Sequence, residues 1–295
     1  MGMAKWAVSL VASTLPLCGQ TLSGVVDIHA HSGPDSVARS IDSIELARLA
    51  HRRGFRALVL KNHYEPTAAL AALARKATPG LEVFGGIALN RTVGGVNPAA
   101  VERMTRVEGG WGRVVWMPTF DSENQVRKSG EARPFVSISR DGRLLPEVLE
   151  VLDLIGKHRL TLATGHSTPQ ENLLLIREAR SRGILSIVVT HAMLSPVAMS
   201  PEQMKEAARQ GAFLEFVGNA VIGTTRSLSF KDYADAMRAV GIDHSILSSD
   251  LGQAGNPLHP DGLEAVFRGL REAGLAAEEI ERMTRRNPAR LLGLP

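Results

Sequence analysis

The sequence predicts a (β/α)8 barrel, and three observations point there. Short β-branched apolar runs alternate with longer amphipathic stretches from residue 24 onward, at roughly thirty residues per repeat. Glycines stand where a helical stretch gives way to the next run, the usual place for a helix C-cap. Finally, His, Lys and Asp residues collect at the C-terminal ends of the runs, the catalytic face of a barrel. An open doubly wound sheet would alternate in the same way. No Gly-x-Gly-x-x-Gly follows the first run, however, and the polar run ends decide for the barrel.

In chain order the strands are read as Val25–His31, Ala57–His63, Val83–Asn90, Arg113–Thr119, Leu160–His166, Ser186–His191, Phe213–Val217 and Ser245–Asp250. Amphipathic stretches between them include Ser43–Arg53, Thr67–Lys76, Pro146–Lys157, Glu171–Arg182, Pro201–Arg209 and Tyr233–Val240. Gly54, Gly183, Gly211 and Gly241 each follow one of these stretches. The connection from Thr119 to Leu160 is oversized. It holds Phe135–Arg140, then Asp141-Gly142, then Arg143–Leu145, a two-residue hairpin signal. Placed after the fourth strand, this hairpin is expected to rise over the mouth, as a lid, a substrate wall or filling for the rim. Asp121 and Glu123 in the same loop are read as solvated.

The composition sets bounds. A chain of 295 residues, 44% hydrophobic but only 4% aromatic, suits repeated strand–helix packing better than an all-β sandwich. Its net charge of +4 comes from scattered arginines, and Arg285-Arg286 reads as a solvated helix face, so no nucleic-acid reader is expected. Lys5 followed by the apolar run Trp6–Cys18 resembles a secretory leader too short to span a bilayer. No Ala-x-Ala precedes the mature start, and Leu17 beside Cys18 does not favour a lipoprotein anchor. The expected layout is a leader over 1–20 and a barrel over 21–295, placed in the periplasm or secreted. The alternative is an N-terminal segment packed under a cytoplasmic domain. The only cysteine lies in this segment, which fits an oxidising compartment.

The chemistry lies in the polar run ends. In Val25-Val26-Asp27-Ile28-His29-Ala30-His31, strand alternation points Val26, Ile28 and Ala30 one way and Asp27, His29 and His31 the other. Two imidazoles on one face can share a metal ion. Lys61 and His63 fall on one face of the second strand. The fifth ends Gly165-His166-Ser167, the sixth Thr190-His191 and the eighth Ser249-Asp250. Neutral imidazoles with a carboxylate suit zinc or another divalent transition metal, as one ion or two. His63 reads as a ligand, a substrate contact or a hydrogen-bonded core histidine. Asn90, Arg91 and Asn219 follow the third and seventh strands and would either contact substrate or hold loops. Arg39, Arg91 and Arg226 are the charged anchors available in the loops. His51, His158, His244 and His259 lie away from the strand ends and are not assigned to the site. A serine hydrolase is set aside because no Gly-x-Ser-x-Gly elbow appears.

This ordered set resembles the amidohydrolase superfamily of metal-dependent hydrolases over essentially all of residues 24–295. The resemblance implies that His29, His31, His166, His191 and Asp250 hold one or two metals, and that Asn287–Leu294 forms a closing helix. Many binuclear relatives bridge their metals with a carboxylated lysine or a glutamate at the end of strand 4. Here that strand reads Val114-Val115-Trp116-Met117-Pro118-Thr119 and has neither. Lys61 is the substitute, since a neutral amine can capture carbon dioxide as an anionic carbamate. Its alternatives are pairing with Asp250 or Asp27, or binding a substrate carboxylate beside a single metal.

The leading expectation is hydrolysis of an amide, lactone, ester or related bond by metal-activated hydroxide, with Asp250 as proton carrier. A one-metal non-oxidative decarboxylase on the same scaffold and a metal-binding non-enzyme are the other readings. The partners expected are a small-molecule substrate and, with the oligomeric state open, further copies of the chain in a homo-oligomer; no nucleic acid and no membrane span are expected. Substrate specificity would reside in the loops, where the residues do not disclose it.

Overall fold

The apolar runs pair in chain order. In the computed structural model, which describes residues 21–295, the barrel strands are β1 (Val26–Ala30), β2 (Ala57–Leu60), β3 (Glu82–Ala88), β4 (Gly112–Trp116), β7 (Thr161–Ala163), β8 (Ile187–Val189), β9 (Phe213–Val217) and β10 (Ser245–Ser248). Every neighbouring pair with a ladder is parallel, and the order is β1-β2-β3-β4-β7-β8-β9-β10. β10 returns beside β1, where Asp250 N–H donates to His29 O at 2.8 Å and His31 N–H to Leu251 O at 2.9 Å. This is the expected (β/α)8 barrel. The leader expected over 1–20, with Cys18, lies outside the described residues.

The outer ring comprises α1 (Ser43–Arg52), α2 (Ala68–Ala77), α3 (Pro98–Thr105), α4 (Glu123–Ser129), α5 (Pro146–His158), α6 (Pro169–Ser181), α7 (Pro201–Arg209), α8 (Asn219–Ile222), α9 (Phe230–Val240), α10 (His259–Glu272) and α11 (Ala277–Glu281), with α12 (Asn287–Leu292) at the end. Local chemistry starts them. Asp42 caps α1 by accepting from Ile44 and Glu45 N–H, and Thr168/Glu171 and Ser200/Gln203 form capping boxes on α6 and α7. Gly54, Gly183 and Gly211 take positive φ after their helices, as expected, while Gly241 has φ 99° and ψ 131°, outside the left-handed helical region. Among the described residues no helix is long and apolar enough to cross a membrane.

Two apolar layers result. Leu58, Leu60, Val83, Val115, Leu162, Ile187, Leu214 and Leu247 pack outward against the helices. Val26, Ile28, Val59, Phe84, Val114, Trp116, Phe213 and Ile246 fill the barrel, sealed by Leu291 and Leu292 of α12. Asn287 pins that helix by donating to Ile242 O and Ser245 O, both at 2.7 Å, so it closes the barrel as expected.

The structure corrects two local expectations. Simple alternation does not run the length of β1: Val26 and Ile28 face the barrel interior, Ala30 faces the helices, and the pairing with β2 shifts register between Asp27 and Ala30. That irregularity lets β1 keep an apolar floor and still turn His29 into the chamber above it. Most strands also stop two or more residues short of the predicted ends, because the polar side chains at those ends lie just beyond the last ladder bond.

The oversized connection contains the expected hairpin, β5 (Ser139–Arg140) and β6 (Arg143–Leu144), turning at Asp141 and Gly142 with φ 49° and 73°. Ser139 Oγ donates to Glu171 at 2.8 Å, so the hairpin leans on the start of α6. The same connection also contains α4, which the sequence reading lacked. Asp121, expected to be solvated, is buried: it accepts from Arg133 at 2.6 Å and from Arg91 N–H at 3.0 Å.

Candidate metal centre

The strand ends deliver five imidazoles, a lysine and a carboxylate into one buried chamber. His29, His31, Lys61, His63, His166, His191 and Asp250 are all buried. Their backbones explain some of the aim. His191 and Asp250 have φ of 27° and 49°, uncommon for residues other than glycine, and each swings its side chain off the end of a strand. Gly165, at φ 63°, lets the chain cross β4 closely before His166; a Cβ there would lie 2.2 Å from Met117 O.

Three imidazoles are tethered in the same way. His29 Nδ1 donates to Glu215 Oε1 at 3.2 Å, His31 Nδ1 to Lys61 O at 2.7 Å and His166 Nδ1 to Gln125 Oε1 at 3.0 Å. An acceptor on Nδ1 fixes the tautomer and leaves the Nε2 lone pair for a cation. Nε2 of His29 and of His31 lie 3.1 and 3.0 Å from Asp250 Oδ1. The ligand atoms of His29, His31 and Asp250 all fall within 4.8 Å of one another. On the other side His166 Nε2 faces His191 Nε2 at 3.1 Å, and His191 Nδ1 is buried with no partner among the described residues. Lys61 sits between the two groups, its Nζ 2.9 Å from His29 Nε2 and 5.6 Å from the centre of the Trp116 ring. Among its expected alternatives, pairing with Asp250 or Asp27 is not what the geometry shows.

Burial and charge act against each other here. Burial pulls His29 down, but the Asp250 and Glu215 carboxylates outweigh it and Lys61, and hold His29 up at about 9. Burial pulls His31 to about 3 and His191 to about 4, and keeps His166 well below the usual imidazole range. Burial also lowers Lys61 to about 8. For Asp250, burial would raise the carboxyl, but His29 and His31 dominate and hold it well below the usual carboxylate range. The chamber therefore favours positive charge at His29 Nε2 while keeping most of the other imidazoles neutral. Neutral imidazoles, an ionised carboxylate and a demand for a cation between them fit a divalent transition metal.

Glu215 was missed by the sequence reading. It stands in the middle of the apolar run Phe213-Leu214-Glu215-Phe216-Val217, buried, and receives His29 Nδ1–H, Ser248 Oγ–H at 2.8 Å and His191 N–H at 3.0 Å. Burial alone would raise it; the His29 charge and these donors bring it down to about 2. An acid at an interior position of a barrel strand was the signal available. Gln125, on α4, left no such signal.

The remaining assigned residues divide. Asn90 is buried with its amide fully used: Oδ1 accepts from Thr119 and Asp121 N–H, and Nδ2 donates to His63 O and Thr119 Oγ1. Asn219 accepts from Asn256 at 3.0 Å and Arg91 is exposed on the rim. Arg39 pairs with Asp35, and Arg226 is exposed. His259, left out of the site, is fully buried against the backbone of His31 and Leu251.

Fold and site together define an α/β barrel whose C-terminal face carries a buried imidazole–carboxylate cluster suited to a metal. Residues 24–215 match a family of unknown function, DUF6282, and the chain belongs to that family. No curated protein matches. Among solved structures, an organophosphorus hydrolase mutant from Deinococcus radiodurans is similar at 17% identity and a TM-score of 0.62, over 92% of this chain and 95% of that one. An amidohydrolase from Pseudomonas aeruginosa is similar at 15% identity and 0.63, over 91% and 95%. A PTE-like lactonase mutant from Deinococcus radiodurans is similar at 17% and 0.61, over 92% and 97%. At these identities the likeness is one of fold.

Proposed function

We propose that this protein is a metal-dependent hydrolase of the amidohydrolase type, acting on an ester, lactone, amide or related bond of a small molecule. The observation that carries the reading is the tethering of His29, His31 and His166 through Nδ1, which turns three Nε2 lone pairs inward, two of them beside Asp250 and the third facing His191. The neighbouring structures, described as an organophosphorus hydrolase, a PTE-like lactonase and an amidohydrolase, support the class. His29, His31 and Asp250 would hold one ion and His166 and His191 a second. When bound, zinc or a similar ion lowers the pKa of a water toward neutrality and polarises the oxygen of the bond to be broken.

The chain's own groups do the rest. Asp250, held ionised, accepts the proton of the attacking water and returns it to the leaving group. Glu215 keeps His29 in register, and Trp116 with Phe84 and Phe213 closes the floor to solvent. Lys61 is proposed as the bridging ligand in carbamate form: its amine nitrogen bonds to the carbon of carbon dioxide and releases one proton. Its burial beside His29, with Trp116 where strand 4 would otherwise supply an anion, supports this over the one-metal decarboxylase reading. The leader-like segment over 1–20 would place this activity in the periplasm or outside the cell.

The test is metal content followed by turnover. Purified protein should carry between one and two equivalents of zinc or a similar ion, and the His29→Ala/His31→Ala double variant should lose at least one. The metal-loaded protein should hydrolyse at least one member of a panel of lactones, esters, amides and phosphotriesters, and the double variant none. A protein that binds no divalent metal under saturating conditions would sink the reading.

A further inference from the structure

His63 stands among the imidazoles without sharing their tether, and its hydrogen bonds run in the opposite sense. The reasoning starts at Asn90. Two backbone donors, Thr119 N–H at 2.9 Å and Asp121 N–H at 3.1 Å, converge on one atom of its amide, which must be the oxygen. The other end is then the NH2, and it donates to His63 O and to Thr119 Oγ1, both at 2.7 Å. Thr119 is fully buried, and its hydroxyl has one proton to place. Among the described residues, the only partner of Oγ1 besides the Asn90 NH2 is His63 Nδ1, at 2.9 Å. Thr119 therefore donates to Nδ1, and the proton of the neutral His63 ring is on Nε2.

The ring cannot turn to change this. It lies flat on Phe120, with centroids 3.8 Å apart and planes at 18°, and the His31 ring stacks against it at 5.0 Å and 26°. Nε2 has no hydrogen-bond partner among the described residues, and the His166 ring lies 6.2 Å away. His29, His31 and His166 thus carry N–H on Nδ1 and turn a lone pair inward, whereas His63 turns an N–H.

We infer that His63 is not a metal ligand but a fixed hydrogen-bond donor, placed beside the metal centre to bind an uncharged oxygen of the substrate, such as a carbonyl oxygen or the bridging oxygen of an ester or lactone. This rests on the hydrolase reading for its substrate; the tautomer does not. A donor preset in this way strengthens its bond as the oxygen gains negative charge in the transition state and needs no reorganisation. Asn90 and Thr119 are positioning residues that act through the ring.

Two experiments separate the proposal from the reading beneath it. Long-range proton–nitrogen correlation on protein labelled with 15N-histidine, without metal and loaded with zinc, should show His63 as the Nε2–H tautomer in both, with the peaks assigned by their loss in His63→Gln. Thr119→Val should release the ring to a mixture or to Nδ1–H, while Thr119→Ser should retain Nε2–H. An Nδ1–H ring in the wild type, or an Nε2 that loses its proton on zinc loading, would overturn the proposal and leave the hydrolase reading standing. On the first substrate found, His63→Leu should keep full metal content and lose roughly 10²–10³-fold in kcat, the scale for removing one such donor. His63→Gln, which still offers an N–H, should recover part of that loss. Loss of a metal equivalent in His63→Leu would make His63 a ligand and end the inference.

Discussion

His29, His31 and Asp250 stand where β1 meets the end of β10, and His166 and His191 follow β7 and β8 on the other side of the chamber. The first group is held from within the barrel. Asp250 N–H bonds to His29 O, Asp27 Oδ1 accepts from Ser249 N–H at 3.0 Å, and Glu215 on β9 takes the His29 Nδ1–H. In the second group His191 N–H also reaches Glu215, but His166 leans on the long connection after β4. Gln125 accepts from His166 Nδ1, and Asn124 and Ser122 donate to His166 O at 3.0 and 3.2 Å. Asn124 also donates to Pro196 O, drawing the loop after β8 into the same wall. One half of the centre is thus built from strand pairing that the fold itself requires. In the other half His166 depends on an inserted helix, which can be altered without opening the barrel.

The largest expected effect falls on the first half. Asp250→Asn preserves shape and one oxygen but removes the base, so it should keep most of its metal and lose about 10²–10⁴-fold in kcat. Metal analysis and turnover on the same preparation check this. Near-normal turnover would remove Asp250 from proton transfer.

A second effect concerns stability. His259 is fully buried behind His31, with no hydrogen bond of good geometry to either ring nitrogen among the described residues, and burial lowers it to about 4 from an ordinary 6.5. The sign follows from proton binding. Between pH 6.5 and about 4 the unfolded chain holds this proton and the folded chain does not. The contribution is present above 6.5 and is lost as pH falls through that window, with an upper scale on the order of 3 kcal/mol. Urea unfolding at pH 7 and pH 5 should show wild type losing more than His259→Phe, and equal losses would refute the assignment.

These two residues also show what the sequence disclosed. Asp250 was legible because a carboxylate at the end of an apolar run has few other reasons to be there, and the same logic found His29, His31, Lys61, His166 and His191. The barrel was legible for a related reason: alternating runs and helix caps are local, and each needs only its neighbours. His259 was not, because a histidine opening an amphipathic helix looks solvated until the helix is docked. Gln125 and Asp121 were hidden likewise, since their burial depends on how a long connection folds back over the mouth. The register shift in β1 has no local signature, and it overturned the reading of Val26, Ile28 and Ala30 as one face, while His29 and His31 still meet at Asp250.

Glu215→Gln tests the tether on the barrel side. The carboxylate receives three donors, from His29 Nδ1, His191 N and Ser248 Oγ, and an amide has only one oxygen to offer them. At least one donor must then face an NH2. Metal affinity at the His29–His31–Asp250 site should drop about 10–100-fold, the range found for such outer partners. Calorimetric titration of the metal-free protein would show it, and unchanged affinity would mean that His29 needs no tether.

The smallest effect is expected at the inserted helix, and it sharpens the comparison most. Gln125→Leu removes the acceptor from His166 Nδ1 and leaves Asn124 and Ser122 still holding the His166 backbone. The imidazole then loses its fixed tautomer but not its place. Gln125 is also half-exposed at the chamber wall, so water can replace part of the lost bond. Affinity for a second ion should therefore fall only to the lower end of the outer-partner range, about tenfold. The first ion should bind as before, because none of its ligands touches α4. Titration of both variants against the same metal resolves the two sites by stoichiometry. If Gln125→Leu weakened the first ion as much as Glu215→Gln does, the two halves would be one coupled unit, and the distinction between a strand-built and a loop-built half would fail.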